Sequence, residues 1–203
     1  MKKKEVLFIS IITILAILSF FCFDITISQC FESIRNYFLT DLFMGITYIS
    51  SGVIIFFILT SLFLWKENKR KWILPLWFTL ALSAIVSFLL KIAIQRPRPY
   101  QIEVVSSLLE GANHSIWNFS FPSFQAMLAF CAIPILSKEF PKLKNIWVIF
   151  AVLIAISRVY LGVHFMSDIL VGGLIGYFLG VLIISSEKKN QFWGKVYKKI
   201  FRR

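Results

Sequence analysis

Charged residues are scarce in this sequence, and residues that bind metals are scarcer. Asp, Glu, Lys and Arg make up 16% of the chain, against 58% for hydrophobic types. A soluble domain is about 45–50% apolar and about 25% charged, so this balance excludes an ordinary soluble protein and indicates a membrane-embedded one. The three cysteines, Cys22, Cys30 and Cys131, fit neither a disulfide framework nor a metal spacing, and nothing requires Cys22 and Cys30 to pair. Two histidines, His114 and His164, leave little material for a transition-metal site, so neither a metal nor another cofactor is expected. Internal repeats and soluble-domain stretches are absent, and residues 1–203 read as a single domain.

What the chain does have is a series of apolar runs. Residues 6–23, 42–65, 72–94, 121–137, 145–163 and 167–186 each read as a membrane span. The expected architecture is an all-α bundle of six transmembrane helices. The first run lacks a small-x-small cleavage pattern at Leu18–Phe23, so it reads as a retained span and not as a signal peptide. Asp24 to Asp41 reads as a polar-aromatic connector, where Phe31, Ile34 and Phe38 suit a short interfacial helix or an ordinary loop. Trp65, Trp72 and Trp77 suit an interfacial aromatic belt. Pro134 reads as a kink near the end of the fourth run. Gly172, Gly173, Gly176 and Gly180 would let the sixth run approach a neighbour closely.

Positive charge is distributed unevenly. Of 22 Lys and Arg residues, all but Arg35, Lys91, Arg96, Arg98 and Arg158 fall at the two termini or in the 66–71 and 138–144 turns. Six spans put those four places on one side, and the bias puts both termini in the cytoplasm. The net charge of +12 then reads as a topology signal with an attraction to anionic lipid headgroups. A nucleic-acid partner is not expected.

Four of the remaining five basic residues sit at outer ends of spans. Lys91 lies near the end of the third, and Arg96-Pro97-Arg98-Pro99 follows. The prolines stop the helix and hold the backbone extended, so both arginines project from a stiff segment. Phe121-Pro122-Ser123-Phe124-Gln125 opens the fourth span, with Pro122 suited to the first helical turn. Backbone N–H groups there, at Ser123, Phe124 and Gln125, would make an anion site with the positive end of the helix dipole. Arg158, His164 and Asp168 lie within one short stretch at the outer end of the fifth span. If that stretch is helical, His164 and Asp168 share a face, an arrangement in which a carboxylate fixes an imidazole tautomer. Lys91, Arg98 and Arg158 would form a positive cluster with no matching set of carboxylates, a combination that favours phosphate.

The spacing Lys91-x6-Arg98-Pro99, then Pro122-Ser123, then Ser157-Arg158-x5-His164-x3-Asp168 resembles the type 2 phosphatidic acid phosphatase superfamily. The resemblance runs from Lys91 to Asp168, and six spans match the membrane branch of that family. It implies that His164 is the nucleophile, forming a phosphohistidine, and that Asp168 orients it. It implies that Lys91, Arg98, Ser123 and Arg158 bind the phosphoryl oxygens, with Arg96 and His114 as possible accessory groups. No metal is implied, because cationic side chains take the role that magnesium plays at other phosphoryl-transfer sites.

The second motif departs from the family. Where the family has Pro-Ser-Gly-His, this chain has Pro122-Ser123-Phe124-Gln125. The family's histidine is the general acid that protonates the leaving oxygen, and Gln125 cannot give up a proton. A phosphate leaving group, as in a diphosphate lipid, has less need of that acid. The departure is also compatible with replacement of the acid by His114, with a weak or inactive member that binds phospholipid, and with an introduced substitution. The expected activity is a lipid phosphatase of the cell membrane, with its site facing the periplasm or exterior and undecaprenyl diphosphate as preferred substrate. Phosphatidylglycerophosphate or phosphatidate comes second, and lipid A third. A lipid phosphotransferase or a non-catalytic lipid-binding protein would use much the same residues.

Overall fold

The computed structural model describes residues 19–109 and 118–201. Its regular elements are all helical, with no strand among the described residues. In chain order they are α1 (19–33), α2 (Tyr37–Ile49), α3 (Gly52–Trp65), α4 (Ile73–Ile94), α5 (Phe124–Glu139), α6 (Lys144–Tyr160), α7 (Met166–Asn190) and α8 (Phe192–Phe201). Short 3-10 turns at Glu67–Trp72 and Pro99–Ile102 flank α4. Among the described residues, two stretches are long and apolar enough to cross a membrane, Glu67–Ile102 and Met166–Lys189, and α2 with α3 makes a third if the pair is one span. α5 and α6 have 16 and 17 residues, at the short end of what a bilayer requires.

Helix α5 is the centre of the bundle. Its buried residues run from Ala126 to Leu136 on several faces, because α3, α4, α6 and α7 all pack on it. The main core joins Ile55, Leu59 and Phe63 of α3 to Leu76 of α4, Leu136 of α5 and Ile154 of α6. The α5–α7 contact is the closest. A Cβ placed on Gly176 would sit 2.3 Å from the Met127 carbonyl oxygen, and one on Gly180 equally close to that of Cys131. Backbone approach at this distance is available only to glycine, as the small-residue spacing of the sixth run predicts.

Several expected boundaries move. The run at 42–65 is not one straight helix: α2 begins at Tyr37, and α2 and α3 meet at an angle of 64°. The cause is local hydrogen bonding. Ser50 Oγ donates to the Thr47 carbonyl, and Ser51 Oγ accepts from the Ile54 N–H as the cap of α3, so side chains replace the backbone ladder at the break. The expected connector 24–41 is mostly helix, since α1 runs to residue 33 and only 34–36 interrupt. Asn36 Oδ1 then accepts from the Leu39 N–H at 2.9 Å and starts α2. Pro122 lies ahead of α5 on a cis bond after Phe121, outside the first turn, with Ser123 at the cap position. Trp72, expected in an interfacial belt, is buried, with the Lys138 ammonium 4.1 Å over its ring. Pro134 lies inside α5. Cys22, Cys30 and Cys131 are free thiols. Most of the expected first span, residues 6–18, lies outside the described residues.

Candidate active site

The C-terminal ends of α4 and α6 and the N-terminal ends of α5 and α7 meet at one end of the bundle, and the four termini carry the candidate residues. Lys91 occupies the last turn of α4. Gln95 closes that helix in the left-handed conformation, φ 52°, and Arg96 to Arg98 leave in an extended segment. The segment 118–120 runs beside it, with the Ser120 N–H donating to the Arg96 carbonyl at 2.8 Å. Arg158 lies in the last turn of α6, and its carbonyl accepts from the N–H groups of both Val163 and His164 at 3.2 Å. That tight turn requires Gly162, which has φ +76° and whose Cβ would be 2.5 Å from the Ser106 carbonyl oxygen.

His164 and Asp168 do not meet on one helical face, because His164 precedes α7. They meet through a cap instead. Asp168 sits in the first turn of α7, and its Oδ2 accepts from the Phe165 N–H at 2.8 Å. The same Oδ2 lies 3.5 Å from His164 Nδ1 and accepts the Ser120 hydroxyl. Because Ser120 donates its proton to Asp168, its oxygen, 3.4 Å from Nδ1, faces the ring as an acceptor. Two acceptors at Nδ1 put the ring proton there. Nε2 then carries the ring's lone pair, which accepts from Arg98 Nη1 at 3.3 Å.

Positive charge surrounds that nitrogen. Arg98 is fixed by the Val163 carbonyl at 2.7 Å from Nη1 and by Asn118 at 3.0 and 3.1 Å from Nε. Lys91 Nζ donates to the carbonyls of Phe119 at 2.6 Å and Ser120 at 3.2 Å. Arg158, buried, reaches Thr47 of α2 at 3.3 Å from Nη1. None of these three cations forms a salt bridge among the described residues. Burial, and then the charges of Arg98, Lys91 and Arg158, hold the His164 imidazole well below its ordinary pKa. It is therefore neutral at physiological pH, with a lone pair on one ring nitrogen.

Two buried polar atoms have no partner among the described residues here: Ser123 Oγ and Arg158 Nε. An unsatisfied buried group costs about 1–3 kcal/mol, so a site that leaves two of them beside unpaired cations is suited to an anionic oxygen ligand. The Ser123 N–H is taken by the Asp168 carbonyl at 3.1 Å, leaving the hydroxyl as that residue's donor.

The other expected residues lie differently. Phe124 packs beside Gly52, and the Gln125 amide donates to the carbonyl and hydroxyl of Ser50, both at 3.4 Å, at the break between α2 and α3. Arg96 does not join the open cations, since it pairs with Asp24 and Asp168. His114 lies outside the described residues. Asp24, Asn118, Ser120 and Ser167 all belong to the site's hydrogen-bond network without belonging to a motif. Asp24 had a signal, as a carboxylate closing an apolar run.

The chain matches the family model of the PAP2 superfamily over residues 72–192. It is 30% identical over 181 residues to phosphatidylglycerophosphatase B of Bacillus subtilis, covering 82% of this chain and 84% of that protein. It is 28% identical over 129 residues to the undecaprenyl-diphosphatase of Sulfolobus acidocaldarius, covering 63% and 61%. Two crystal structures are similar. The transmembrane PAP2-type phosphatidylglycerolphosphate phosphatase of Bacillus subtilis has a TM-score of 0.72 at 28% identity, over 94% of this chain and 98% of that one. Aquifex aeolicus LpxE has a TM-score of 0.66 at 30% identity, over 80% and 94%. This chain belongs to the PAP2 superfamily, alongside these lipid phosphatases.

Proposed function

We propose that this protein is a metal-independent lipid phosphatase that works through a phosphohistidine at His164. The observation that carries this reading is the position of His164 Nε2, 3.3 Å from Arg98, amid cations that have no carboxylate partner among the described residues. Nε2 attacks the terminal phosphorus. The bond to the leaving oxygen breaks, and the leaving group departs with the electron pair. Lys91, Arg98, Arg158 and the Ser123 hydroxyl take up the charge of the phosphoryl oxygens, which is where such sites gain most of their rate. Asp168 and Ser120 hold the Nδ1 proton and stabilise the ring as it becomes positive. Water then cleaves the P–N bond and releases phosphate.

In the proposed topology six spans put both termini in the cytoplasm and this end of the bundle at the periplasmic or outer face of the cell membrane. The charge bias supports it. The opposite end carries the 66–71 and 138–144 turns, joined by a Lys69–Glu139 ion pair at 2.7 Å.

The best substrate is a polyprenyl diphosphate such as undecaprenyl diphosphate. Gln125 supports this choice, because a departing lipid phosphate requires little protonation and an amide supplies none. The likeness to the Bacillus subtilis protein favours phosphatidylglycerophosphate as the second reading. Phosphate release from both lipids by the purified protein, without divalent metal and beside His164→Ala, tests the proposal. Release that disappears in the variant supports it. Equal release by the variant refutes it, and no release from either lipid by the folded protein points instead to a transferase or a binding protein.

A further inference from the structure

Arg96 is held by two buried carboxylates at close range, unlike the three open cations beside His164. Its Nη1 donates to Asp168 Oδ1 at 2.7 Å and to Ser167 Oγ at 2.7 Å. Its Nη2 donates to Asp24 Oδ2 at 2.7 Å. Asp24 in turn accepts the Ser167 N–H at 2.9 Å on Oδ1, and the Ser167 hydroxyl on Oδ2. The guanidinium is also covered by rings, with its carbon 4.2 Å from the centre of Phe165 and 5.1 Å from that of Phe21. Both carboxylates are buried, Asp24 at 2% exposure and Asp168 at 0%. Every oxygen and both Nη atoms in this chain of three have partners, which is the condition for such a chain to be rigid.

We propose that Asp24 and Arg96 are positioning residues that fix the orientation of the Asp168 carboxylate, and through it that of the His164 ring. The inference rests on the phosphohistidine reading above. Asp168 has two oxygens with different partners: Oδ2 faces His164 Nδ1, Ser120 and the Phe165 N–H, and Oδ1 has Arg96. Lys91, Arg98 and Arg158 all act on the same imidazole, so a carboxylate held on one side only would be drawn to them. The Oδ1–Arg96 pair keeps it away. Asp24 supplies the second half of the device. By holding Nη2, it keeps Arg96 out of the set of cations that meets the phosphate. It also ties α1, where Asp24 sits, to the start of α7. A buried carboxylate within an apolar helix is costly unless paired, and this pairing gives it a role.

The test is steady-state phosphate release from undecaprenyl diphosphate and from phosphatidylglycerophosphate, with kcat expressed per folded, monodisperse protein. The variants are Asp24→Asn, Arg96→Gln, Arg96→Lys, the double Asp24→Asn/Arg96→Gln, and His164→Ala. Loss of a residue that orients a site ligand typically costs about 10–100-fold, and Arg96→Gln is expected to lose that much in kcat. KM should stay within about threefold, because the phosphate ligands remain. Asp24→Asn should lose less, and Arg96→Lys should recover part of the loss. The double variant should be little slower than Arg96→Gln and well short of additive, since the proposed effect of Asp24 on Asp168 passes through Arg96. Wild-type kcat in folded Asp24→Asn and Arg96→Gln, a loss confined to KM, or additive losses in the double variant would overturn the inference. If Arg96→Gln does not fold, Asp24→Asn decides alone, because it keeps the Arg96–Asp168 pair. An active His164→Ala would sink the functional reading itself. An inactive His164→Ala beside unaffected Asp24 and Arg96 variants would sink only this inference.

Discussion

Arg98 Nη1 lies 2.7 Å from the Val163 carbonyl oxygen and 3.3 Å from His164 Nε2, so one guanidinium grips the turn that carries His164 and also faces the nitrogen proposed to attack. In the proposed mechanism this fixes where a phosphoryl group sits. Replacing Arg98 with Gln removes the charge, and kcat/KM should fall by about 10²–10³-fold, as for loss of one preorganised charge-stabilising donor. Arg98→Lys should retain part of the activity, since a point charge cannot reproduce the fork. Phosphate-release kinetics decide it, and a loss under about threefold in Arg98→Gln would contradict the assigned role.

The pH dependence follows from the same surroundings. The groups facing His164 are Arg98, Lys91, Arg158 and Asp168, and burial with the three cations lowers its pKa. The acid limb of kcat/KM, which reports the free enzyme, should therefore lie below the ordinary histidine value of about 6.5. Removing the Arg98 charge should move that limb upward. The sign for stability is the same: the unfolded chain takes up this proton at a higher pH than the folded one, so the contribution is complete above about pH 6.5 and is lost as pH falls. An acid limb at or above 6.5 in the wild-type protein would contradict the lowered pKa.

Gln125→His tests whether a missing general acid limits the enzyme. General acid catalysis is worth about 10²–10⁴-fold. Turnover of phosphatidate or phosphatidylglycerophosphate should rise by at least about tenfold, while that of undecaprenyl diphosphate changes little. Because the Gln125 amide faces Ser50 at the α2–α3 break, a flat response for both substrates would show that this position does not address the leaving group.

The α5–α7 contact sets the scaffold. In Gly176→Ala the new methyl would meet the Met127 carbonyl oxygen at 2.3 Å, and helices must separate to relieve it. Overpacking of this kind costs about 1–3 kcal/mol, seen as a lower unfolding temperature in detergent. Gly45→Ala, inside α2 and with nothing within 4 Å of the added carbon, should not lower that temperature, since alanine favours a helix interior over glycine.

The candidate site residues were more legible in the sequence than the architecture. Lys91, Arg98, Arg158, His164 and Asp168 stand out because an ionisable group is rare and costly in such a chain, and the bundle brings them to one end. The bend between α2 and α3 was hidden because apolar residues fill 42–65 on every side and carry no period to interrupt. Ser50-Ser51-Gly52 was the only trace. Asp24 looked like the start of a connector, since its partners Arg96 and Ser167 lie more than 70 residues away and no local pattern predicts such a pairing. Ser120 and Asn118 were invisible because their partners, Asp168 and Arg98, belong to other elements and no local pattern marks them. Trp72 shows the limit of composition: an aromatic at the end of an apolar run fits a lipid interface, but here it is buried beneath Lys138.

The most direct test of the central claim is to trap the covalent intermediate. The purified protein would be mixed briefly with a lipid labelled in its terminal phosphate, quenched in alkali, and examined for label on the protein. The expected result is an alkali-stable, acid-labile phosphoryl group in the wild-type protein, mapped to His164 and absent from His164→Ala. Turnover without any such label, or label that persists in His164→Ala, would contradict the phosphohistidine mechanism.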